Sequence, residues 1–225
     1  IIISLLLTGV GSMDSLAADY NNVTVGTNTY PVAVNVTAAD TTKTVGGNTT
    51  RISVSGTGVI SEFQDAVTSL VDIPAGSALN YAGVVTASGG KITVAKALTV
   101  KGTNAGGSYI GVLNGSSSSL TVGGLLDVEV KGSNHVVGLD NESTNVISMQ
   151  DIKMALTKTA GSGSGIYGIV NNSSALQTGN VDITLTNNSD ATDNAYGISA
   201  ASATINGNAL VNVAGGKGMA YGINL

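Results

Sequence analysis

Ile166-Tyr167-Gly168-Ile169, Ala195-Tyr196-Gly197-Ile198 and Ala220-Tyr221-Gly222-Ile223 are one short phrase written three times. Looser versions stand upstream as Tyr81-Ala82-Gly83-Val84 and Tyr109-Ile110-Gly111-Val112, and Gly138 falls between the two groups. The glycines Gly83, Gly111, Gly138, Gly168, Gly197 and Gly222 are separated by 28, 27, 30, 29 and 25 residues. A period of this size marks a stacked array, in which each unit buries its apolar face against the next.

Two further apolar runs keep step with the glycines. The first begins at Ile92, Leu120, Ile147, Leu176 and Ile205, with steps of 28, 27, 29 and 29. The second alternates: Val181, Ile183 and Leu185 interleave with Asp182 and Thr184, Val128 and Val130 flank Glu129, Ile152, Met154 and Leu156 flank Lys153 and Ala155, and Val211 and Val213 flank Asn212. Alternation at period two is a strand with one buried and one wet face. The runs are short and rich in Val, Ile and Thr, which favours strand over helix.

Each unit therefore reads as three short strands joined by polar turns: Asn171 to Ser174, Thr178 to Asn180, and a third turn that runs from Asn187 to Asn194 but only from Gly215 to Gly218 in the last unit. One such unit is too thin to hold a core. Stacked coil on coil at roughly 4.8 Å, each inward Val, Ile or Leu contributes on the order of 1.5 to 3 kcal/mol. The expected fold is all-β, a right-handed parallel β-helix with about three short strands per coil of roughly 25–30 residues.

Composition fits this reading. Glycine supplies 31 of 225 residues, charged residues 10%, and tryptophan none, as suits tight corners that need positive φ and a narrow interior. Corner Asn, Ser and Thr can hydrogen-bond to their counterparts one coil away. Low-complexity disorder is the competing reading, and 42% hydrophobic content in phased strands argues against it. The absence of cysteine suits export without disulfides and a reducing compartment equally. A net charge of −5 with no basic stripe excludes nucleic acid as a partner.

Residues 1–18 read as the remnant of a secretory signal, with the apolar run Ile1 to Leu7 followed by small residues and Ser15-Leu16-Ala17 at a cleavage site. A buried first strand is the alternative; the run is too short to span a membrane as a helix. Residues 19–74 are expected to form irregular first coils or a cap. Ser61-Glu62-Phe63-Gln64 resembles a capping box ahead of Phe63, Ala66, Val67, Leu70 and Val71, an apolar spacing that predicts a short helix near 61–71. The regular repeats occupy 75–225, and since Leu225 falls three residues after Gly222 the chain is read as the N-terminal piece of a longer protein.

The search for chemistry yields one surface cluster. Asp127, Lys153 and Asp182 fall on the wet face of the third strand in successive coils, with Glu129 nearby and Asn212 at the next register. Such a row holds a cation or acts on a sugar acid, or is a solvated ladder whose charges alternate to avoid repulsion. Lys153 interrupts the paired carboxylates and favours the second reading. His135 is the one histidine, close in sequence to Asp140, and is a poor basis for a triad or a metal site. Gly123-Gly124 does not continue into a calcium-binding glycine repeat. Tyr81, Tyr109, Tyr167, Tyr196 and Tyr221 form either an aromatic ladder for carbohydrate or, the favoured reading, a column packed on itself. Outward threonines do not recur in every coil, which weakens an ice-binding array. No catalytic residue, cofactor or metal is assigned.

The signal-like start, the Tyr-Gly-Ile coils with Val181-Asp182-Ile183-Thr184-Leu185-Thr186, the wealth of Gly, Asn, Ser and Thr and the lack of cysteine together resemble the passenger region of a bacterial autotransporter, a type V secreted protein. The resemblance covers residues 1–19 by the signal and 75–225 by repeat style. It implies a secreted or cell-surface location, a structural or adhesive stalk without catalysis, a host or cell-surface protein or carbohydrate as partner, and a C-terminal outer-membrane barrel outside this chain. The alternative is a β-helical enzyme of the pectin or uronate lyase kind, acting on acidic polysaccharide.

Overall fold

The computed structural model describes residues 20–25, 28–36, 41–44, 47–49, 51–63, 66–73, 80–161, 165–172, 175–190 and 192–224, and the signal-like segment 1–18 lies outside them. Every regular element among these residues is a β-strand. The chain winds as a parallel β-solenoid of about six turns. Strands Arg51–Ser55, Tyr81–Ala87, Tyr109–Asn114, Val136–Asn141, Ile166–Asn171, Ala195–Ala200 and Ala220–Asn224 stack in one nine-stranded sheet, which Asn28–Val36 and the antiparallel Tyr20–Val25 extend.

The second and third strands of each coil share a twelve-stranded sheet. They are separate in Lys91–Val94 and Leu98–Asn104, but merge into single bent strands at Ser119–Gly132 and Ile147–Lys158. The bend passes through Gly123 and Gly124, where a Cβ would sit 2.6 Å from the Ala95 carbonyl oxygen and 2.9 Å from that of Lys96. Glycine is needed there because the backbones of neighbouring coils touch.

Inward residues of successive coils form columns. Leu98, Leu126, Ile152 and Val181 are paired one above another and buried, as are Val100, Val128, Met154 and Ile183. The opening glycines lie opposite the second of these columns. A Cβ on Gly111 would lie 2.6 Å from both the Gly138 carbonyl oxygen and Val128 Cγ1, and one on Gly168 would lie 2.8 Å from Ile183 Cγ2. At five of the six glycines the third strand's side chains, Met154 opposite Gly138 included, fill the space where a side chain would be, whereas a Cβ on Gly222 would meet nothing within 4 Å. Alternation skips at this point, so that Gly168 and Ile169 are both buried.

Three positions after the glycine the interior turns polar. Asn114 Nδ2 donates to Asn141 Oδ1 at 2.7 Å, and Asn141 Nδ2 donates to Asn171 Oδ1 at 2.6 Å. Thr86 Oγ1 caps one end by bonding Asn114 Oδ1, and Asn171 Nδ2 donates to the Ser202 carbonyl at 2.5 Å at the other. All four residues are buried. Stacked amides of this kind satisfy buried polar groups with their own copies, and so hold one coil in register on the next.

Two expectations are corrected. Residues 61–71 contain no helix among the described positions: Ile60–Phe63 and Val67–Ile73 are strands, stacked between those of the coils before and after them. Ser69 masks the alternation there. It occupies an inward place in the column of Val100, and its hydroxyl donates to the Gly83 carbonyl at 3.1 Å, while Ala66 and Leu70, assigned to a helical stripe, are exposed. Ile205 is also out of step with Leu176: Leu176 pairs with Ala203, and Ile205 pairs with Thr178. A slip of two residues keeps every side chain on its own face, so hydrophobic pattern alone does not detect it.

Candidate functional site

The charged cluster lies on the outer face of the third strands. Asp127 pairs with Lys153 and Lys153 with Asp182, so the three are stacked in successive coils. Leu210 follows Asp182, whereas Asn212 stands one column over, in line with Glu129, Ala155 and Thr184. The organising cation is Lys101, which the sequence reading did not include. Its Nζ lies 3.1 Å from Glu129 Oε2 and 3.7 Å from Asp127 Oδ2. These carboxylates hold the Lys101 ammonium above its usual range, chiefly through the hydrogen bond from Lys101 to Glu129. Lys101 offsets Asp127 and Glu129 from the neighbouring coil. Among the described residues no group of three His, Asp or Glu is placed to hold a metal ion.

The tyrosines divide into two columns. Tyr81 and Tyr109 point inward, with ring centroids 5.3 Å apart and planes at 70°. Tyr167, Tyr196 and Tyr221 point outward, one residue nearer the glycine, and stack at 5.1 and 4.6 Å with planes within 5° of parallel. Each interior ring face of the outer column is covered by the next ring. A sugar stacking on an aromatic needs a free ring face, and this column offers edges and hydroxyls instead.

The polar centre of the molecule sits at the third corner, between the end of one coil and the start of the next. Lys158 closes its strand facing inward, fully buried at 0% exposure, and its ammonium is paired with the carboxylate of Asp193 at 8%. The corner after Asn187 wraps this pair. Asn188 N donates to the Lys158 carbonyl at 2.8 Å, Ser189 N to Asn187 Oδ1 at 3.0 Å, Ser189 Oγ to the Gly161 carbonyl at 2.8 Å, and Asn187 Nδ2 to the Asp193 carbonyl at 3.4 Å.

His135 stands one coil below, its ring 5.3 Å from that of Tyr167. Burial pulls the imidazole below its usual range, the Gly165 carbonyl draws it back, and the Lys158 cation lowers it further. Among the described residues His135 Nδ1 has no hydrogen-bond partner. Its neighbours are thus Tyr167 and Lys158 rather than Asp140. Asp140 lies on the outer face of the glycine strand, where burial and the charge of Glu142 raise its carboxyl to about 6. No Ser-His-Asp arrangement forms between them.

Lys158, Asp193 and Ser189 escaped the sequence reading. Lys158 occupies an alternating position that continues Ile152, Met154 and Leu156 inward. A lysine at an inward place of a strand was the available signal. No family model, curated protein or solved structure matches the chain.

Variation in coil length gathers at this same corner. The pairing offset jumps from 26 for Gly132 with Lys158 to 30 for Val136 with Ile166. It then falls from 28 for Asn187 with Gly215 to 25 for Ala195 with Ala220. The strand columns on either side keep their stacking throughout.

Proposed function

We propose that this chain is the β-helical shaft of a surface-exposed or secreted protein, built in the manner of an autotransporter passenger, with an adhesive edge at the third corner. The observation that carries this reading is the division of labour between columns and corners. Val, Leu, Gly and Asn columns continue through the coils, which gives length and rigidity, while insertions collect on one side. In solenoids the side that takes the insertions is often the binding face. Asn188, Asp190 and Thr192 are exposed there, and a host or cell-surface protein or carbohydrate is the partner such an edge would meet.

The charged face supports a shaft over a lyase. Lys101 engages Asp127 and Glu129, and Lys153 stands between Asp127 and Asp182. The test is localisation together with turnover. Antibody labelling and protease shaving of intact cells of the source organism should reach the solenoid, or it should be found in the medium; recovery only after lysis overturns the reading. Incubation with acidic polysaccharides, with and without calcium, should leave them uncut, and robust cleavage overturns the shaft in favour of an enzyme.

A further inference from the structure

We propose that the outer face of the third strands carries a binding site for a small zwitterion, in the cavity between Asp72 and Lys131. This inference does not rest on the shaft reading.

The cavity, of about 180 Å³, opens where strands Val67–Ile73, Leu98–Asn104 and Ser119–Gly132 lie side by side. Register sets its walls. Asp72, Thr103 and Lys131 are paired one above another in one outward column, and Leu70, Lys101 and Glu129 in the next. The floor includes the backbone at Gly102, whose φ of 150° is a conformation that residues with a side chain rarely adopt. From the interior, the hydroxyl of the fully buried Tyr109 donates to the Lys101 carbonyl at 3.3 Å. A side chain of the core thus holds the floor in place, independently of the charged groups at the rim.

Charge within the cavity is sorted by position. Asp72, Glu129, Lys101 and Lys131 bring two charges of each sign. Lys101 is engaged by Glu129 at 3.1 Å and by Asp127 at 3.7 Å. Asp72 and Lys131 are exposed and form no ion pair among the described residues. Two strand spacings separate them, roughly 9.6 Å, with the neutral Thr103 between. A lone cation drawn to Asp72 is opposed by Lys101 and Lys131, and a lone anion drawn to Lys131 is opposed by Asp72 and Glu129. A ligand that carries both charges meets its opposite at each end. With about 2.8 Å for each charged contact, about 4 Å is left between the ligand's own charges. The charges of an α-amino acid lie slightly closer than that and those of phosphocholine slightly farther apart, a difference the long Lys131 side chain absorbs. Leu70, 48% exposed, stands beside Asp72. It offers apolar surface to an alkyl group, or to methyl groups, next to the ligand's positive charge.

Titration of the isotope-labelled whole chain with L-leucine and, separately, with phosphocholine, followed by amide chemical shifts, tests this. The amides of Leu70, Gly102 and Thr103 should shift saturably with at least one of the two, with a Kd in the millimolar range expected of so small a ligand. Which of them binds tells whether the source is a free amino acid or a choline head group. 3-Methylbutylamine and 4-methylpentanoate keep only the positive or only the negative charge of leucine, as choline and inorganic phosphate do for phosphocholine. Each should bind about fivefold more weakly than its parent, the weight of one exposed charge contact. Asp72→Asn and Lys131→Gln alter exposed side chains and should weaken binding by a similar factor, while Lys153→Gln, outside the cavity, should leave it unchanged. The proposal is overturned if neither zwitterion shifts these amides at tens of millimolar, if the single-charge compounds bind as tightly as their parents, or if Asp72→Asn and Lys131→Gln bind like wild type.

Discussion

Replacing Gly168 by alanine asks whether the repeated glycine is there for space. The new Cβ would stand 2.8 Å from Ile183 Cγ2 and 3.1 Å from Ile183 Cδ1, and closer still to the Gly197 carbonyl oxygen. The first contact can be eased by a rotamer change. The second is with backbone, and relieving it means prising apart strands Ile166–Asn171 and Ala195–Ala200, which are paired from Ile166 with Ala195 to Asn171 with Ala200. Overpacking of this kind costs about 1–3 kcal/mol, and the rigid partner puts Gly168→Ala at the upper end. Alanine returns about 0.5–1 kcal/mol of backbone entropy in the unfolded chain, leaving a net loss of about 2 kcal/mol. Gly222→Ala is the matched control. A Cβ there meets nothing within 4 Å, so only the entropy gain remains and the variant should be neutral or more stable by up to about 1 kcal/mol. Because stacked repeats open coil by coil, urea unfolding should be read together with hydrogen exchange resolved to the strands on either side of Gly168. Exchange there should speed up by about thirtyfold, the equivalent of 2 kcal/mol. If Gly168→Ala and Gly222→Ala behave alike, the argument from space is refuted and the glycines must be explained another way.

Other perturbations have equally definite outcomes. Asn141→Ala cuts the amide ladder in its middle, removing the acceptor of Asn114 and the donor to Asn171 in the buried interior, and should cost about 2–3 kcal/mol; thermal unfolding no different from wild type would refute the ladder's role. Asp140 is raised to about 6 from 3.8, so the folded chain takes up this proton more readily than the unfolded one, and the cost of the charged carboxylate is present above pH 6 and gone below 3.8. Asp140→Asn should therefore stabilise by about 1 kcal/mol at pH 7.5, allowing for the screening of a half-exposed group, and the gain should vanish in urea titrations at pH 3.5. Lys101→Met removes the centre of the charged cluster, whose members are 27–54% exposed, and should cost no more than about 1 kcal/mol. A larger loss in urea unfolding would mean that this face is coupled to something beyond its own ion pairs.

Much of the architecture is legible before any coordinates, and its limits have a physical cause. Val181, Ile183 and Leu185 announce their face because a strand's alternation is strict, and the glycines announce the coil because only a hydrogen atom fits opposite Val128 or Ile183. What the pattern leaves undetermined is register. Moving a strand by two residues preserves which side chains face inward, so Ile205 reads as the successor of Leu176 when the chain in fact sets Ala203 there. Apolar columns tolerate such a slip at modest cost, since a Val, Ile or Leu one step along still fills the interior. Polar inward groups do not. Asn141 must meet Asn114 on one side and Asn171 on the other, and Lys158 must meet a carboxylate that arrives from the far end of an irregular corner.

The same contrast explains why the corner cluster was missed while the outer cluster was found. Asp127, Glu129, Lys153 and Asp182 sit on strands, where a fixed period places any residue relative to the next coil. Lys158 meets Asp193 across 35 residues, through a corner whose length changes from coil to coil, so no repeat spacing connects them. A misregistered coil would strand Lys158 in the interior opposite a neutral side chain, an arrangement several kcal/mol worse than the paired one. The ion pair and the amide ladder thus select, among alignments that the apolar columns accept almost equally, the one in which each coil rests on its neighbour. On this argument Lys158→Met combined with Asp193→Leu should retain or exceed wild-type stability, because both desolvation costs vanish together, yet it should broaden the exchange of strands Val181–Asn187 and Ala195–Ala200 by admitting slipped pairings. A double variant as sharply protected as wild type would show that the ladder fixes the register unaided.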